Sequence, residues 1–527
     1  MSGTFTGTAL LVRTHLRCGW RALTAWVAGA AALVVATGVG IAALYPTLAD
    51  RETYAATAGA SPAAAAFNGR GYDLTTLGGI TAYEVGFMGL LGLPIVALHL
   101  AIRFSRREED AGRTELVTAG RVGRLAPVAA AGLTLVLTWA AFVVACSVGL
   151  TAAGLPAAGS GRYAAGLGLY AACCGAVGLV VAEVSREART AYGLGLALTL
   201  LAFLLRAIVD GRHLEEDLAG PTGWLAQLRP FGDWAGWPLL AYAGSALAAW
   251  VLAALVAHRR DLGGGLVPTR PGPAYGVARL GTSTGLAWRV LRPAFLGWAL
   301  GMGAWSLALG GLSGEMTDIV RANPAMLAAF GVARPEDLLT AMTLLLGAIG
   351  AASFGVSAMM RLAREEAAGR LALVLSTRTS RTRLWAGWLF VAALLAATIL
   401  VVAAGALGLA MAWSTGRWAH LSTGLRAGLA LVVPVLVVLA ATAVVQGVAP
   451  AYTGIGWILV GWVTVVGVLA ETLRLPQWAR GLSPLYRAGN VPIDDPNGIA
   501  LVAMGALAVV LVALGLSRFR TRDLAAG

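Results

Sequence analysis

The sequence predicts an all-α polytopic membrane protein, with twelve transmembrane helices in two parallel six-helix repeats. Of its 527 residues, 58% are apolar and only 12% charged, against about a quarter charged in a soluble domain. Apolar runs of roughly 20 residues, each long enough to cross a hydrocarbon core about 30 Å thick as a helix, recur along the whole length. A charged island between two such runs occurs twice. Arg107 to Arg124 reads REEDAGRTELVTAGRVGR and Arg364 to Arg381 reads REEAAGRLALVLSTRTSR, identical at ten of eighteen positions.

The first run begins with TALLVRTHLRCGWR, where Arg13, Arg17 and Arg21 share one helical face and Val12, Leu16 and Trp20 the next. Such a segment suits the membrane interface before the chain turns inward. The apolar run to Leu44 is too long for a signal-peptide core and is expected to be the first span. A polar segment to about Gly79 follows, then a second span from about Ala82 to Ile102 with a kink at Pro94, which delivers the chain to the first island. Further spans are expected at about 125–153, 163–184, 191–205 and 238–257. Trp224, Phe231, Trp234 and Trp237, before the sixth, suit the membrane–water boundary. Residues 263–285 are rich in Gly and Pro without apolar periodicity and read as a cytoplasmic linker between halves 1–262 and 286–527.

The same order then repeats. Arg289 and Arg292 precede a seventh span, and Asn323-Pro324 with Ala329-Phe330-Gly331 parallels Ser61-Pro62 with Ala66-Phe67-Asn68-Gly69. An eighth span meets the second island. Trp224 pairs with Trp478, Pro230 with Pro484, and Arg260-Asp261-Leu262 with Arg522-Asp523-Leu524. Collinear matches of this kind mark a duplication, and an even number of spans per half gives both halves one orientation.

All 39 basic residues are arginine. A P-loop needs its lysine on the transferring phosphates, and a Schiff base needs a lysine amine; neither chemistry is open to this chain. The four cysteines have no CxxC spacing and read as apolar packing residues; His99 reads as a satisfied structural histidine. No metal or cofactor site is expected. The net charge of +13 is sorted by side. The islands, termini, linker and fourth-to-fifth turn hold 26 arginines against 10 carboxylates, and the opposite side holds 13 against 16. The arginine-rich side, with both termini, is therefore expected in the cytoplasm, and the charge marks topology, not nucleic-acid binding.

Within the islands, Glu109 with Arg113 and Glu366 with Arg370 stand at i, i+4, acid first, as in a supporting helical pair. Leu116/Leu373 and Val117/Val374 give each segment an apolar side. Positive-inside charge accounts for the arginines but not for the matching acids or for Gly112/Gly369. A short helix fixed between two spans offers a partner something to grip.

The two islands, the helix before each first span, the Trp- and Pro-containing loop after each fifth and the RDL after each sixth resemble the fused permeases of bacterial ABC exporters of polyketide antibiotics, tetronasin type, in the ABC-2 group. The resemblance covers the whole chain through the order of its motifs. It implies a non-enzymatic permease of the bacterial cytoplasmic membrane, driven by two copies of a separate ATPase that binds ATP and Mg, and exporting a hydrophobic or amphipathic compound. Each ATPase would grip one coupling helix, through Arg107, Glu108, Glu109, Gly112, Arg113 and Leu116 in the first half and Arg364, Glu365, Glu366, Gly369, Arg370 and Leu373 in the second. Phe87, Met88, Phe203, Met342 and Trp457 would face the substrate path. The alternatives are a proton-coupled secondary drug transporter, which needs a titratable group among the spans such as Glu84, Glu183 or Glu471, and an ABC exporter of a lipid or envelope precursor.

Overall fold

The computed structural model describes residues 3–57, 61–266, 278–311, 313–314, 335–469 and 475–523. Among them are twelve helices long and apolar enough to cross a membrane, and no strand. The protein is all-α and polytopic. Its contacts divide it into two compact units, Met1–Gly272 and Pro273–Gly527. The segments Asn323-Pro324 and Ala329-Phe330-Gly331, residues 267–277 of the Gly/Pro-rich linker, Glu471 and Leu524 lie outside the described residues.

In the first unit, α1 (Thr8–Leu44) is one helix of 37 residues. The expected turn between an interfacial segment and the first span is absent because no proline interrupts the run and the backbone stays helical throughout. After a ten-residue helix over Leu48–Thr57 come α2 (Pro62–Asn68), started by Pro62 and capped by the Ser61 hydroxyl, which accepts from the Ala64 N–H, and α3 (Leu77–Glu84). The second span is broken more deeply than a proline kink: a π-helical turn at Met88–Gly92 precedes α4 (Leu93–Phe104). Tyrosines of the fourth span support this break. The Tyr170 hydroxyl donates to the Leu90 carbonyl at 3.0 Å and that of Tyr163 to the Ala82 carbonyl at 3.3 Å. Each meets an acceptor in or beside the irregular segment, as an apolar surrounding demands. At Gly86 a side chain would strike the Asn68 carbonyl at 1.8 Å, so only glycine lets α2 end against this break.

The island follows as α5 (Arg106–Asp110) and α6 (Arg113–Thr118), and four long helices complete the unit: α7 (Ala126–Ala152), α8 (Ala157–Val184), α9 (Ala188–Gly211) and α10 (Trp237–Arg259). Small residues allow close approach of α4 and α8: a Cβ on Gly178 would sit 3.0 Å from that of Ala101, the kind of contact that replaces the hydrophobic effect between helices in lipid. Helix α9 runs past the expected end at Leu205. Arg206 and Asp210 continue it as a buried i, i+4 ion pair at 3.2 Å, so the charges that suggested a terminus neutralise one another.

The second unit has α11 (Ser283–Gly311), α12 (Pro335–Ala367), α13 (Arg370–Leu375), α14 (Arg381–Thr415), α15 (Ala419–Val448), α16 (Gly456–Leu469) and α17 (Gly498–Thr521). Arg289 and Arg292 lie inside α11 instead of ahead of it. The Ser380 hydroxyl and the Asn497 side chain accept backbone N–H groups at the starts of α14 and α17, standard N-caps. The eighth helix, α12, is continuous where its counterpart in the first unit is broken.

Candidate functional site

Each island breaks at the same residue. Gly112 and Gly369 both have φ 71°, a left-handed conformation that costs a side-chain-bearing residue about 1–2 kcal/mol. The helix preceding each glycine and the short helix following it therefore point in different directions, and the i, i+4 geometry does not carry across. Arg113 bonds Glu108 instead of Glu109, its Nε donating to Oε2 at 2.6 Å and its Nη2 to Oε1 at 2.7 Å. Arg370 likewise bonds Glu365. The expected pairs Glu109–Arg113 and Glu366–Arg370 do not form. Donating to Glu108 raises the pKa of the Arg113 guanidinium.

Freed from that pairing, Glu109 and Glu366 turn inward. Glu109 receives Arg260 as a fork, Nη1 to Oε1 at 2.7 Å and Nη2 to Oε2 at 2.6 Å, together with the Gly263 N–H at 2.6 Å. Arg260 also donates through Nε to Glu183 at 2.6 Å. Arg106, fully buried, lies 3.1 Å from Glu109 and donates to the carbonyls of Ala182, Glu183 and Gly264. Burial lowers the Arg260 pKa, but its bond to Glu109 and the charges of Glu183 and Glu109 outweigh that and hold it above the usual arginine value. Charges taken out of water in this way persist only when paired and fully hydrogen-bonded.

The second unit repeats the clamp. Glu366, 2% exposed, receives both terminal nitrogens of Arg522, Nη2 at 2.7 Å. Arg522 Nε donates to the Gly447 carbonyl at 2.8 Å. Gln446 donates to Glu366 at 3.2 Å and accepts from the Trp385 indole at 2.8 Å. In both units the last arginine of the island closes the arrangement: Arg124 donates to the Arg260 carbonyl at 2.9 Å and Arg381 to the Arg522 carbonyl at 2.8 Å. The sequence showed both the islands and the RDL triplets. That the triplet's arginine is the partner of the island's second glutamate is decided by tertiary contact, although their nearly equal displacements, 257 and 262 residues, were a usable signal.

The island residues thus divide into two sets. Glu109 and Glu366 are anchors, buried and occupied within the chain. Arg107, Arg113 and Leu116, with Arg364, Arg370 and Leu373, are exposed, and the two leucines are bare to 78% and 71%. In the first unit Asp110 accepts the Ala188 N–H at 2.7 Å and ties the island to the start of α9.

Two residues singled out for the substrate path meet: Phe87 and Phe203 pack edge to face at 5.7 Å, with Phe67 5.7 Å beyond Phe87. Arg206, unmarked in the sequence reading, lies over the Phe203 ring at 4.6 Å and donates to the carbonyls of Ala65, Ala66 and Phe67, capping the C-terminal end of α2. An arginine and an aspartate four apart in an apolar run were the signal for it. Met88, Met342 and Trp457 are about two-fifths exposed, and the Trp457 indole donates to the Met360 sulfur. His99 is held by the Tyr192 hydroxyl at 3.0 Å. Among the described residues no group of three or more His, Cys, Asp or Glu is arranged to hold a metal.

Twelve apolar helices with a twice-built arginine clamp under an exposed island helix define an integral membrane protein of multi-pass, internally repeated build. Residues 280–520 match the family model for the C-terminal domain of the multidrug efflux system permease Rv1217c. Across 98% of this chain and 95% of the relative, the sequence is 29% identical to the multidrug efflux system permease protein Rv1217c of Mycobacterium tuberculosis (strain ATCC 25618 / H37Rv).

Proposed function

We propose that the protein is the permease subunit of an ATP-driven efflux system for hydrophobic or amphipathic compounds. One observation carries the reading: each unit presents an exposed arginine–leucine face on a short helix that a buried Glu–Arg clamp fixes to its spans. A face that is apolar, charged and rigidly attached is suited to receive force from a soluble partner. The similarity to a multidrug efflux permease over nearly the whole chain supports export as the direction. The chain lacks lysine and with it any P-loop, so hydrolysis falls to a separate ATPase, two copies of which bind ATP and Mg and seat one on each island. The islands and both termini then lie in the cytoplasm, in keeping with their arginine excess. Within that class the motif order favours the tetronasin-type polyketide exporters, and Phe87, Met88, Phe203, Met342 and Trp457 are the proposed path residues.

Proton-coupled transport is the weaker reading because the two of its candidate acids that lie among the described residues are engaged: Glu183 is held by Arg260 and Glu84 accepts the Tyr54 hydroxyl. The deciding experiment reverses both half-buried acids that pair with the exposed island arginines, Glu108→Arg with Glu365→Arg, in cells that also carry the partner ATPase. Loss of co-purification or of drug-stimulated ATP hydrolysis, with the membrane part still folded, is expected. Undiminished export by that variant would remove the docking role.

A further inference from the structure

Beneath the first island the protein holds a cavity of about 690 Å³, within the size range of small-molecule sites. Three of its lining residues, Thr114, Val128 and Ala257, have counterparts in the second unit at the displacements already set by the islands (257) and the RDL triplets (262): Leu371, Trp385 and Phe519. All three counterparts are larger and buried, at 4%, 0% and 0% exposure. There the indole and phenyl rings lie 6.3 Å apart, and the indole N–H is bound by Gln446. The second unit thus fills with its own aromatic rings the space that the first unit leaves open. A residue that would accept a donor remains in place: Glu183, on the last turn of α8 as Gln446 is on that of α15, lines the cavity.

We propose that this cavity is a binding site for a flat aromatic organic cation. Shape follows from the rings that occupy the equivalent space in the other unit, and charge follows from the lining. Five carboxylates face the cavity against three arginines, and two of those acids, Glu115 and Asp261, are exposed, with carboxylates that have no hydrogen-bond or ion-pair partner among the described residues. An acid-rich, partly apolar recess favours a cation with an aromatic body and disfavours an anion. Because the recess lies against α6 and the Glu109–Arg260 clamp, an occupant would touch both the island and its anchor. The site would then report the presence of cargo to the partner on the island; that consequence rests on the exporter reading, whereas binding itself does not.

The test uses the purified full-length chain in detergent, with no ATPase present, and the photoreactive aromatic cation ethidium monoazide. Labelling is expected on peptides containing residues 114–128 or 257–262. It is expected to fall at least tenfold when the recess is filled as in the second unit, by Val128→Trp with Ala257→Phe. The planar cation N-methylacridinium should compete at least ten times better than neutral acridine of the same shape. If the filled variant does not elute as a folded protein, Glu115→Gln with Asp261→Asn serves instead and should weaken labelling severalfold. Labelling that maps only to other spans, or that survives either variant, overturns the site. A chain that binds the probe here but drives no ATP-dependent efflux with its ATPase would leave the site standing and remove the exporter reading.

Discussion

A guanidinium buried at the end of a spanning helix is stable only while a carboxylate holds it, and the two clamps satisfy that condition differently. In the second unit Glu366 is the one acid bonded to Arg522 among the described residues. Glu366→Ala should therefore cost about 3–5 kcal/mol, the penalty for leaving a buried charge without its partner, read as a lower thermal unfolding midpoint of the purified protein. In the first unit an additional acid and an additional base, Glu183 and Arg106, join the clamp. Ala363 stands 257 positions on from Arg106, and Gln446 stands on the last turn of α15 as Glu183 does on that of α8, so one charge of each sign is lost together and the cluster stays neutral. Arg106→Ala and Glu183→Gln should each destabilise, while the double variant recovers much of the loss. The double-mutant cycle should give a coupling of about 0.5–3 kcal/mol, and strict additivity would count against the compensation. The exposed pair Glu108–Arg113, by contrast, contributes under about 1 kcal/mol, and its value lies in the surface it presents.

The short island helices owe their orientation to a single backbone position each. Gly112 and Gly369 share φ 71°, so a β-branched residue such as valine at either would cost at least about 1–2 kcal/mol locally. The expected result is faster hydrogen exchange across residues 113–118 or 370–375, with the long helices unchanged. Protection equal to that of the native protein would show that the break is not needed. The second span of the first unit is a different kind of element. Its π-turn is supported by Tyr170, and Tyr170→Phe leaves the Leu90 carbonyl without that donor, at about 1–3 kcal/mol. The sequence pointed to Pro94 as the kink. The actual break lies upstream because Gly86 admits the end of α2 and two tyrosines of another helix supply donors.

Across the whole molecule, the duplication is uneven. Both units keep the clamp, the glycine break and the exposed leucine, but among the described residues the second span is broken in the first unit and continuous in the second, and where the first unit has a recess lined by Val128 and Ala257 the second carries buried Trp385 and Phe519. Two identical ATPases on such a chain would grip unlike halves. In proteoliposomes containing the permease and its ATPase, transport is expected to stop on removal of ATP and to persist when a protonophore collapses the proton gradient. The reverse pattern would assign the protein to the secondary transporters.

The class and number of helices were legible in the residues because a bilayer admits few backbone solutions: each long apolar run must satisfy its own hydrogen bonds, and helices do so. The repeat, the islands and the exclusion of lysine chemistry were legible for a different reason, being properties of composition and order. Which glutamate faces out and which faces in was not legible, since Glu108 and Glu109 are adjacent and chemically identical, and only the left-handed glycine that follows and an arginine about 150 positions away separate their roles. The cavity is likewise a product of packing. Valine and alanine are unremarkable in a membrane helix until their neighbours show that tryptophan and phenylalanine stand in the same places of the other half.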